Sequence, residues 1–296
     1  MLAVSTTKYR MLENYFPFRS RVGLGLSGFG NLPEKRSFDT SRVLSALNMG
    51  YRLFDTAEMY GQGQCEALLG DAVKIWNGAR QDIQIVSKVL PDNATSKQAV
   101  LDACRRSLDR LQTDYIDVYL LHWRKPETDL PGVVDAFLEL KSQGRILHYG
   151  VSNFNPDGIK WFKNLEAERG VAVNNTAGAR VLQTRYSIVD RLVDRYLLDY
   201  ATKNYNMTIM AHSPLDLGKL FTQGAELSAV AEREGCTVAQ LALAWQLRRT
   251  NLITIPRSKD IAHQIDNLKA SQLSLSTQTL NEIDRLFPIP TPEQRP

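Results

Sequence analysis

Short apolar segments recur along this chain at intervals of about thirty residues, apart from a longer final gap, and a stretch with helical spacing of apolar residues follows each one. The predicted strands end at Asp55, Lys88, His122, Val151, Gln183, Ala211 and Pro256. About thirty residues is the length of one strand and helix pair, and the glycine-rich segment from Arg21 to Ser27 adds a first strand. Eight such pairs with continuously apolar strands predict an α/β fold with a parallel sheet.

A closed (β/α)8 TIM barrel fits this repeat best, and a doubly wound open sheet is the alternative. Such an open sheet should carry a glycine-rich phosphate loop after its first strand, yet Gly28-Phe29-Gly30 does not continue into a GxGxxG pattern. No linker-like or low-complexity stretch divides residues 1–296. We therefore predict a single barrel domain with additional C-terminal helices and loops, the helices spanning Ile261–Ala270 and Thr277–Phe287.

Composition argues against several classes of protein. The formal charge is +4, from 36 basic and 32 acidic residues, which is too mild to indicate a nucleic-acid partner. No apolar run approaches the ~18 residues that a bilayer-spanning helix needs, so no membrane association is expected. Met1 to Ser20 lacks the pattern of a secretory signal, which predicts a cytoplasmic protein, with a monomer as the default. The 3 cysteines are widely separated and lack metal-ligand spacing, so we expect reduced thiols and neither a disulfide nor a metal site.

Four ionisable side chains are predicted to meet at one mouth of the barrel. Asp55, Lys88 and His122 end strands and Tyr60 follows Asp55, while the chemistry of such barrels lies at the carboxyl ends of the strands. A lysine closing an apolar strand needs a counter-charge, which Asp55 can supply. Lys88 would in turn favour the phenolate and lower the pKa of Tyr60 from its ordinary ~10, making Tyr60 a general acid. Taken singly, Lys88 and Asp55 could form a rim salt bridge, and His122 could be a core histidine.

The sequence closely resembles the aldo-keto reductase family from about Arg21 to Leu286. The resemblance rests on the segments FDTAEMYG, VSK, LLHW and GVSNF, which stand in the family's order and spacing. It implies that Tyr60 protonates a carbonyl oxygen, that Lys88 and Asp55 tune Tyr60, and that His122 orients the substrate.

The same resemblance implies a nicotinamide cofactor that lies extended over the barrel mouth. Ser152, Asn153 and Gln183 would hold the carboxamide, and His212 stands at the stacking position where the family usually has tyrosine or tryptophan. Contacts to the pyrophosphate are assigned to Ser213 and Leu215. Asp216 stands where many members have a small residue, a change for which Lys219 could compensate.

The segment IPRSKDIAHQIDN resembles the family's adenosine clamp. Arg257 and Ser258 match the positions that hold a ribose 2′-phosphate, and a guanidinium with a hydroxyl suits a phosphate. Asp266 and Asn267 match positions at the adenine, while His263 replaces an arginine that many NADPH-dependent members carry. The expected cofactor is NADPH, with NADH possible; without this context, an Arg-Ser dipeptide after a strand is commonly a plain loop.

Phe29, Met59, Ser87 and Trp123 lie in or beside these motifs and are candidate substrate-pocket residues. The tail offers little of a bulky lid, which favours a small or medium aldehyde or ketone as the substrate. The expected function is NADPH-dependent carbonyl reduction. A nucleotide-binding regulatory or channel-associated subunit and a Schiff-base aldolase using Lys88 are the alternatives.

Overall fold

The computed structural model describes residue 18 and residues 20–172, 177–218, 220–221 and 225–291. Its sheet has eight parallel strands that neighbour one another in chain order. They are β1 (Leu24–Gly25), β2 (Leu53–Asp55), β3 (Gln84–Val89), β4 (Ile116–Leu121), β5 (Ile146–Ser152), β6 (Val181–Arg185), β7 (Thr208–His212) and β8 (Leu252–Thr254).

The sheet closes on itself between its first and last strands. Val22 pairs with Thr254 in a parallel bridge, and the amide of Gly23 donates to the carbonyl oxygen of Thr254 at 2.9 Å. The predicted (β/α)8 barrel is therefore confirmed, and the open doubly wound sheet is excluded.

Helices separate the strands along the chain. Within the described residues they are α1 (Arg36–Met49), α2 (Gln64–Ile75), α3 (Lys97–Leu111), α4 (Leu130–Ser142), α5 (Pro156–Glu168), α6 (Leu197–Tyr205), α7 (Ala225–Arg233), α8 (Val238–Gln246), α9 (Ile261–Lys269) and α10 (Thr277–Leu286). None of these helices combines the length and apolar character that a membrane crossing requires.

Local sequence signals explain where several helices begin. Ser96, Asp129 and Asn155 precede α3, α4 and α5, and each side chain accepts a hydrogen bond from the backbone amide three residues on. Thr237 caps α8 in a capping box with Gln240. These caps satisfy amide groups that a helix leaves without an internal partner.

Two local predictions from the sequence were wrong: a cap on the first helix at Ser37 or Asp39, and a single helix over residues 190–203. Neither Ser37 nor Asp39 caps α1, because the helix begins at Arg36 and Asp39 lies buried within it. The single helix predicted over residues 190–203 is instead a 3-10 turn at Leu192–Arg195 and then α6, separated by Tyr196, whose backbone is not helical (φ −153°, ψ −44°). No helix was predicted for the stretch that forms α7.

Residues alternate between the inside of the barrel and the layer beneath the helices. The inner cluster contains Leu53, Val86, Leu120, Val181 and Met210. Their strand neighbours pack in the larger cluster between the sheet and the helices. Because side chains alternate along a strand, the residue two positions after each of these five also points into the barrel, nearer the carboxyl end of its strand.

Candidate active site

The inward positions directly above the apolar layer of the barrel carry polar side chains. They are Asp55, Lys88, His122, Gln183 and His212, each two residues beyond a member of the inner cluster. The strand register brings these positions to one end of the barrel, where parallel strands present their carboxyl ends.

Lys88 is the most enclosed member of this group, with no exposed surface. Its ammonium donates to Asp55 Oδ1 at 2.8 Å and to the carbonyl oxygen of Thr56 at 2.7 Å. Asp55 Oδ1 also accepts from Gln183 Nε2 at 2.7 Å, so strands β2, β3 and β6 share one buried polar network. Burial lowers the pKa of Lys88, but the interactions with Asp55 and Tyr60 together outweigh burial and raise it above its ordinary value. Lys88 is therefore cationic at neutral pH.

Tyr60 stands on a turn beside this network. The 3-10 turn Tyr60–Gly63 continues through residues with positive φ, including Gly61 at +56° and Gln62 at +53°. Its ring centroid lies 5.1 Å from Lys88 Nζ and 5.8 Å from the ring of His122, in an edge-to-face arrangement. Lys88 thus lies close to the aromatic ring of Tyr60.

The pKa of Tyr60 is shifted in the direction opposite to the prediction. Burial raises it, and although Lys88 lowers it as expected, the net pKa lies above the ordinary value. The hydroxyl therefore keeps its proton at neutral pH. Sequence reasoning weighed the neighbouring charge correctly but did not include the desolvation of the phenolate.

His122 is buried, with 6% of its surface exposed, and its Nδ1 has no hydrogen-bond partner among the described residues. Burial, with smaller contributions from Lys88 and His212, lowers its pKa to about 3. Its imidazole is thus neutral, and one ring nitrogen can donate a hydrogen bond.

Asn153 connects the ends of β4, β5 and β7. Its backbone has a φ of +57°, and its side-chain amide donates to the carbonyl oxygen of His122 at 3.1 Å and to Ser152 Oγ at 3.0 Å. Asn153 Oδ1 lies 3.0 Å from Nε2 of His212. Ser152 itself is fully buried and does not line the adjoining cavity, so the structure places it behind Asn153.

A cavity of about 490 Å³ extends from this polar group across the carboxyl ends of β6, β7 and β8. Of the predicted site residues, its lining contains Asp55, Tyr60, His122, Asn153, Gln183, His212, Ser213, Leu215, Arg257, Ser258, His263, Asp266 and Asn267. One continuous groove thus joins the two sets that the sequence assigned to the two ends of a cofactor.

The loop after β7 lines the middle of this groove. Ser213 and Asp216 both have positive φ, at +52° and +47°, and the amide of Asp216 donates to the carbonyl oxygen of Ser213 at 2.9 Å. Behind the loop, the buried Gln246 donates to the carbonyl oxygen of Pro214 at 3.0 Å. Lys219, predicted to compensate for Asp216, lies outside the described residues; the ion-pair partner seen here is Arg185.

Residues from the β8 side form the other end of the groove. Arg257 Nη1 donates to the carbonyl oxygen of Ser27 at 3.3 Å, close to Gly28, where an added Cβ would lie 2.9 Å from that same nitrogen. Gly28 has a φ of +85°, a conformation that glycine adopts without the strain of a side chain. The carbonyl oxygen of Ser258 accepts from Gln264 Nε2 at 2.9 Å, which holds the clamp against α9.

The four candidate substrate residues separate into two groups. The ring of Trp123 lies 4.7 Å from that of His122, and Met59 is 43% exposed at the same end of the barrel. Phe29 and Ser87 are fully buried. Ser87 lies on the outer face of β3 and donates to Glu66 Oε1 at 2.5 Å, so the structure does not bring Phe29 or Ser87 to the mouth.

Several lining residues were missed from the sequence. Phe221 stands at the rim with 57% of its surface exposed, and Thr237, Val238 and Ala239 bring the start of α8 to the groove. The apolar residues after Thr237 predict a helix from Thr237 to Arg249, but nothing in the sequence places the start of that helix beside the cavity. Among the described residues, no group of three or more His, Cys, Asp or Glu side chains is arranged to hold a metal ion.

Comparison with known proteins agrees with this geometry. The model of the aldo/keto reductase family matches residues 21–287. Methylglyoxal reductase YeaE from Escherichia coli is 32% identical over 273 residues, covering 91% of each chain.

Two solved structures show the same architecture. The aldo/keto reductase from Klebsiella pneumoniae in complex with NADP and acetate superposes with a TM-score of 0.82 at 32% identity, covering 93% of each chain. The thermostable aldo-keto reductase Tm1743 in complex with the inhibitor epalrestat gives 0.80 at 34% identity, covering 90% of this chain and 94% of that one. The chain therefore belongs to the aldo/keto reductase family and is an NAD(P)H-dependent oxidoreductase.

Proposed function

We propose that this protein reduces a small aldehyde or ketone to the alcohol with NADPH, and that Tyr60 is the proton donor. One observation carries the proposal. The Tyr60 ring lies 5.1 Å from the buried ammonium of Lys88 and 5.8 Å from the neutral imidazole ring of His122, at the mouth of the groove.

The donor set of the groove suits NADPH. Gln183 and Asn153 offer amide groups at one end, which match a neutral carboxamide. Arg257 and Ser258 offer a guanidinium and a hydroxyl at the other end, which match a 2′-phosphate. Related structures from Klebsiella pneumoniae were solved with NADP and with NADPH. When bound in this groove, NADPH would supply the hydride that reduction of a carbonyl carbon requires.

The chain's own residues handle the proton. As the carbon–oxygen π bond opens, Tyr60 gives its hydroxyl proton to the carbonyl oxygen, and the alcohol forms. Lys88 then stabilises the phenolate by its positive charge, which Asp55 and the carbonyl oxygen of Thr56 hold in place. His122 donates a hydrogen bond to the same substrate oxygen and so orients the carbonyl group.

The geometry argues against the aldolase alternative. A Schiff-base lysine must be a neutral amine when it attacks a carbonyl. Lys88 has no exposed surface, and Asp55 keeps it cationic despite its burial. Its lone pair is therefore not available to a substrate.

A small α-oxoaldehyde is the first substrate to test, because a relative 32% identical to this chain is a methylglyoxal reductase. Trp123 and Met59 offer apolar surface beside the mouth for the carbon chain of such a molecule.

The test measures NADPH consumption at 340 nm by the wild type against methylglyoxal, simple aldehydes and simple ketones, with the product alcohol identified by mass. We expect turnover of at least one carbonyl and a preference for NADPH over NADH. Tight NADPH binding without turnover across the panel would favour the regulatory alternative. Substrate-dependent inactivation by borohydride without cofactor would favour the aldolase.

A further inference from the structure

The ion pair between Arg185 and Asp216 lies beside the groove but is not among the residues that carry the reaction. Arg185 ends β6, two residues beyond Gln183, and pairs in strand register with His212. Asp216 lies on the loop after β7, with only 6% of its side chain exposed.

Arg185 joins two carboxylates. One end of its guanidinium contacts Asp216 Oδ1, and its Nε donates to Asp190 Oδ2 at 2.7 Å. Within the part of the chain that the structure describes, no second cation forms an ion pair with Asp216. Removing Arg185 would therefore leave the buried Asp216 without its counter-charge, which is strongly unfavourable.

The position of this ion pair determines which part of a bound cofactor would be affected by its charges. In strand order, β7 stands between β6, which supplies Gln183, and β8, which Arg257 and Ser258 follow. A dinucleotide that spans these two ends carries its diphosphate in the middle, along the loop Ser213–Gly218. An unpaired carboxylate on that loop would repel the diphosphate.

The ion pair also affects the backbone conformation of the Ser213–Gly218 loop. Ser213 and Asp216 hold left-handed φ values, which are unfavourable for residues other than glycine. The loop is fixed from behind by Gln246, through Pro214, and from β6 by Arg185. Arg185 thus also holds the loop in the shape that lines the groove.

We propose that Arg185 is a positioning residue for the cofactor diphosphate. It neutralises Asp216 and fixes the Ser213–Gly218 loop, so that an acidic residue is tolerated beside an anionic ligand. This inference rests on the proposed use of NADPH.

The test compares binding of two ligands by isothermal titration calorimetry. NADPH carries the diphosphate, whereas 2′-AMP carries the adenosine and the 2′-phosphate without it. Arg185→Met should weaken NADPH binding by roughly tenfold, the scale of one uncompensated charge near a protein surface, and leave 2′-AMP binding within about twofold.

Four further variants complete the design. Arg185→Lys, which keeps the charge, should restore part of the affinity. Asp216→Asn added to Arg185→Met should restore most of it, because asparagine tolerates a left-handed φ and carries no charge. Asp216→Asn alone should bind NADPH at least as well as the wild type. Arg36→Met is the matched control, since Arg36 pairs with Asp71 at 2.6 Å and has the same 39% exposed side chain but does not line the groove.

Three results would overturn the inference. They are unchanged NADPH binding by Arg185→Met, equal weakening of both ligands, and failure of Asp216→Asn to restore affinity to the double variant. If the wild type did not bind NADPH at all, the proposed function would fail together with this inference. Normal wild-type binding combined with any of the three results would overturn the inference alone.

Discussion

Asp55→Asn isolates the charge that keeps Lys88 stable inside the barrel. Asparagine has nearly the same shape, and its Oδ1 can still accept from Lys88 Nζ and Gln183 Nε2, which lie 2.8 and 2.7 Å from Asp55 Oδ1. The substitution therefore removes the negative charge and leaves the packing intact. Breaking a buried ion pair on one side costs about 3–5 kcal/mol, and Lys88 has no exposed surface through which water could compensate.

The effect should depend on pH. In the wild type, Asp55 raises the pKa of Lys88 against the effect of burial. The stability that charged Lys88 contributes is therefore present below its unfolded pKa of ~10.4, and it is lost as the pH rises through its pKa in the folded protein. In Asp55→Asn, burial acts without that carboxylate and lowers the pKa of Lys88. The free energy of unfolding of the variant then increases at high pH, because a neutral amine costs less to bury than an ammonium. The difference in the free energy of unfolding between the two proteins should narrow from about pH 7 to about pH 9.5.

Urea unfolding followed by circular dichroism at the two pH values measures this difference. Asp71→Asn is the control, because its pair with Arg36 is 35–39% exposed and should contribute no more than about 1 kcal/mol. A loss below about 1 kcal/mol for Asp55→Asn at neutral pH would refute the reasoning, and so would an equal loss at both pH values.

Three other predictions concern histidine, the cofactor clamp and the C-terminal helix. The pKa of His122 is lowered to about 3, so the stability present above its unfolded pKa of ~6.5 is lost as the pH falls. When the pH falls from 7 to 5, the free energy of unfolding measured in urea should decrease by about 2 kcal/mol less for His122→Asn than for the wild type. An equal decrease in the two proteins would contradict this. Arg257→Met should weaken NADPH binding by about ten- to a hundredfold and NADH binding by less than about threefold, as measured by calorimetry. Equal losses of affinity for the two cofactors would rule out recognition of the 2′-phosphate by Arg257. Arg191→Met should lower the free energy of unfolding by about 3 kcal/mol, because the buried Arg191 joins Asp194 to Asp284 of α10. A change below about 1 kcal/mol would show that Arg248 and Arg249, which also pair with Asp194, replace it.

The barrel could be predicted because its signals are local and repeated. Each strand is an apolar run, each helix has an apolar face, and the intervals match one strand and helix pair. Asp55, Lys88 and His122 followed from the same pattern, since each comes two residues after an inward apolar residue. Ser87 could have been excluded on that ground, because it stands between the inward residues Val86 and Lys88.

Other features depend on groups that are distant in the chain. The partner of Asp216 is Arg185, 31 residues away, whereas sequence reasoning considered only the neighbouring Lys219. The raised pKa of Tyr60 arises from burial, which no nearby residue reveals. Helix α8 was predicted from its apolar residues, but its place beside the groove depends on how the helices close around the barrel.

Proton donation by Tyr60 is tested by comparing wild type and Tyr60→Phe for steady-state NADPH oxidation and, separately, for NADPH binding by fluorescence. Tyr115→Phe, at the opposite end of β4, controls for the loss of a hydroxyl elsewhere. We predict that Tyr60→Phe lowers kcat/KM by roughly a hundredfold or more and leaves NADPH affinity within about twofold. A kcat/KM within about threefold of the wild type, with NADPH still bound, would show that another group supplies the proton.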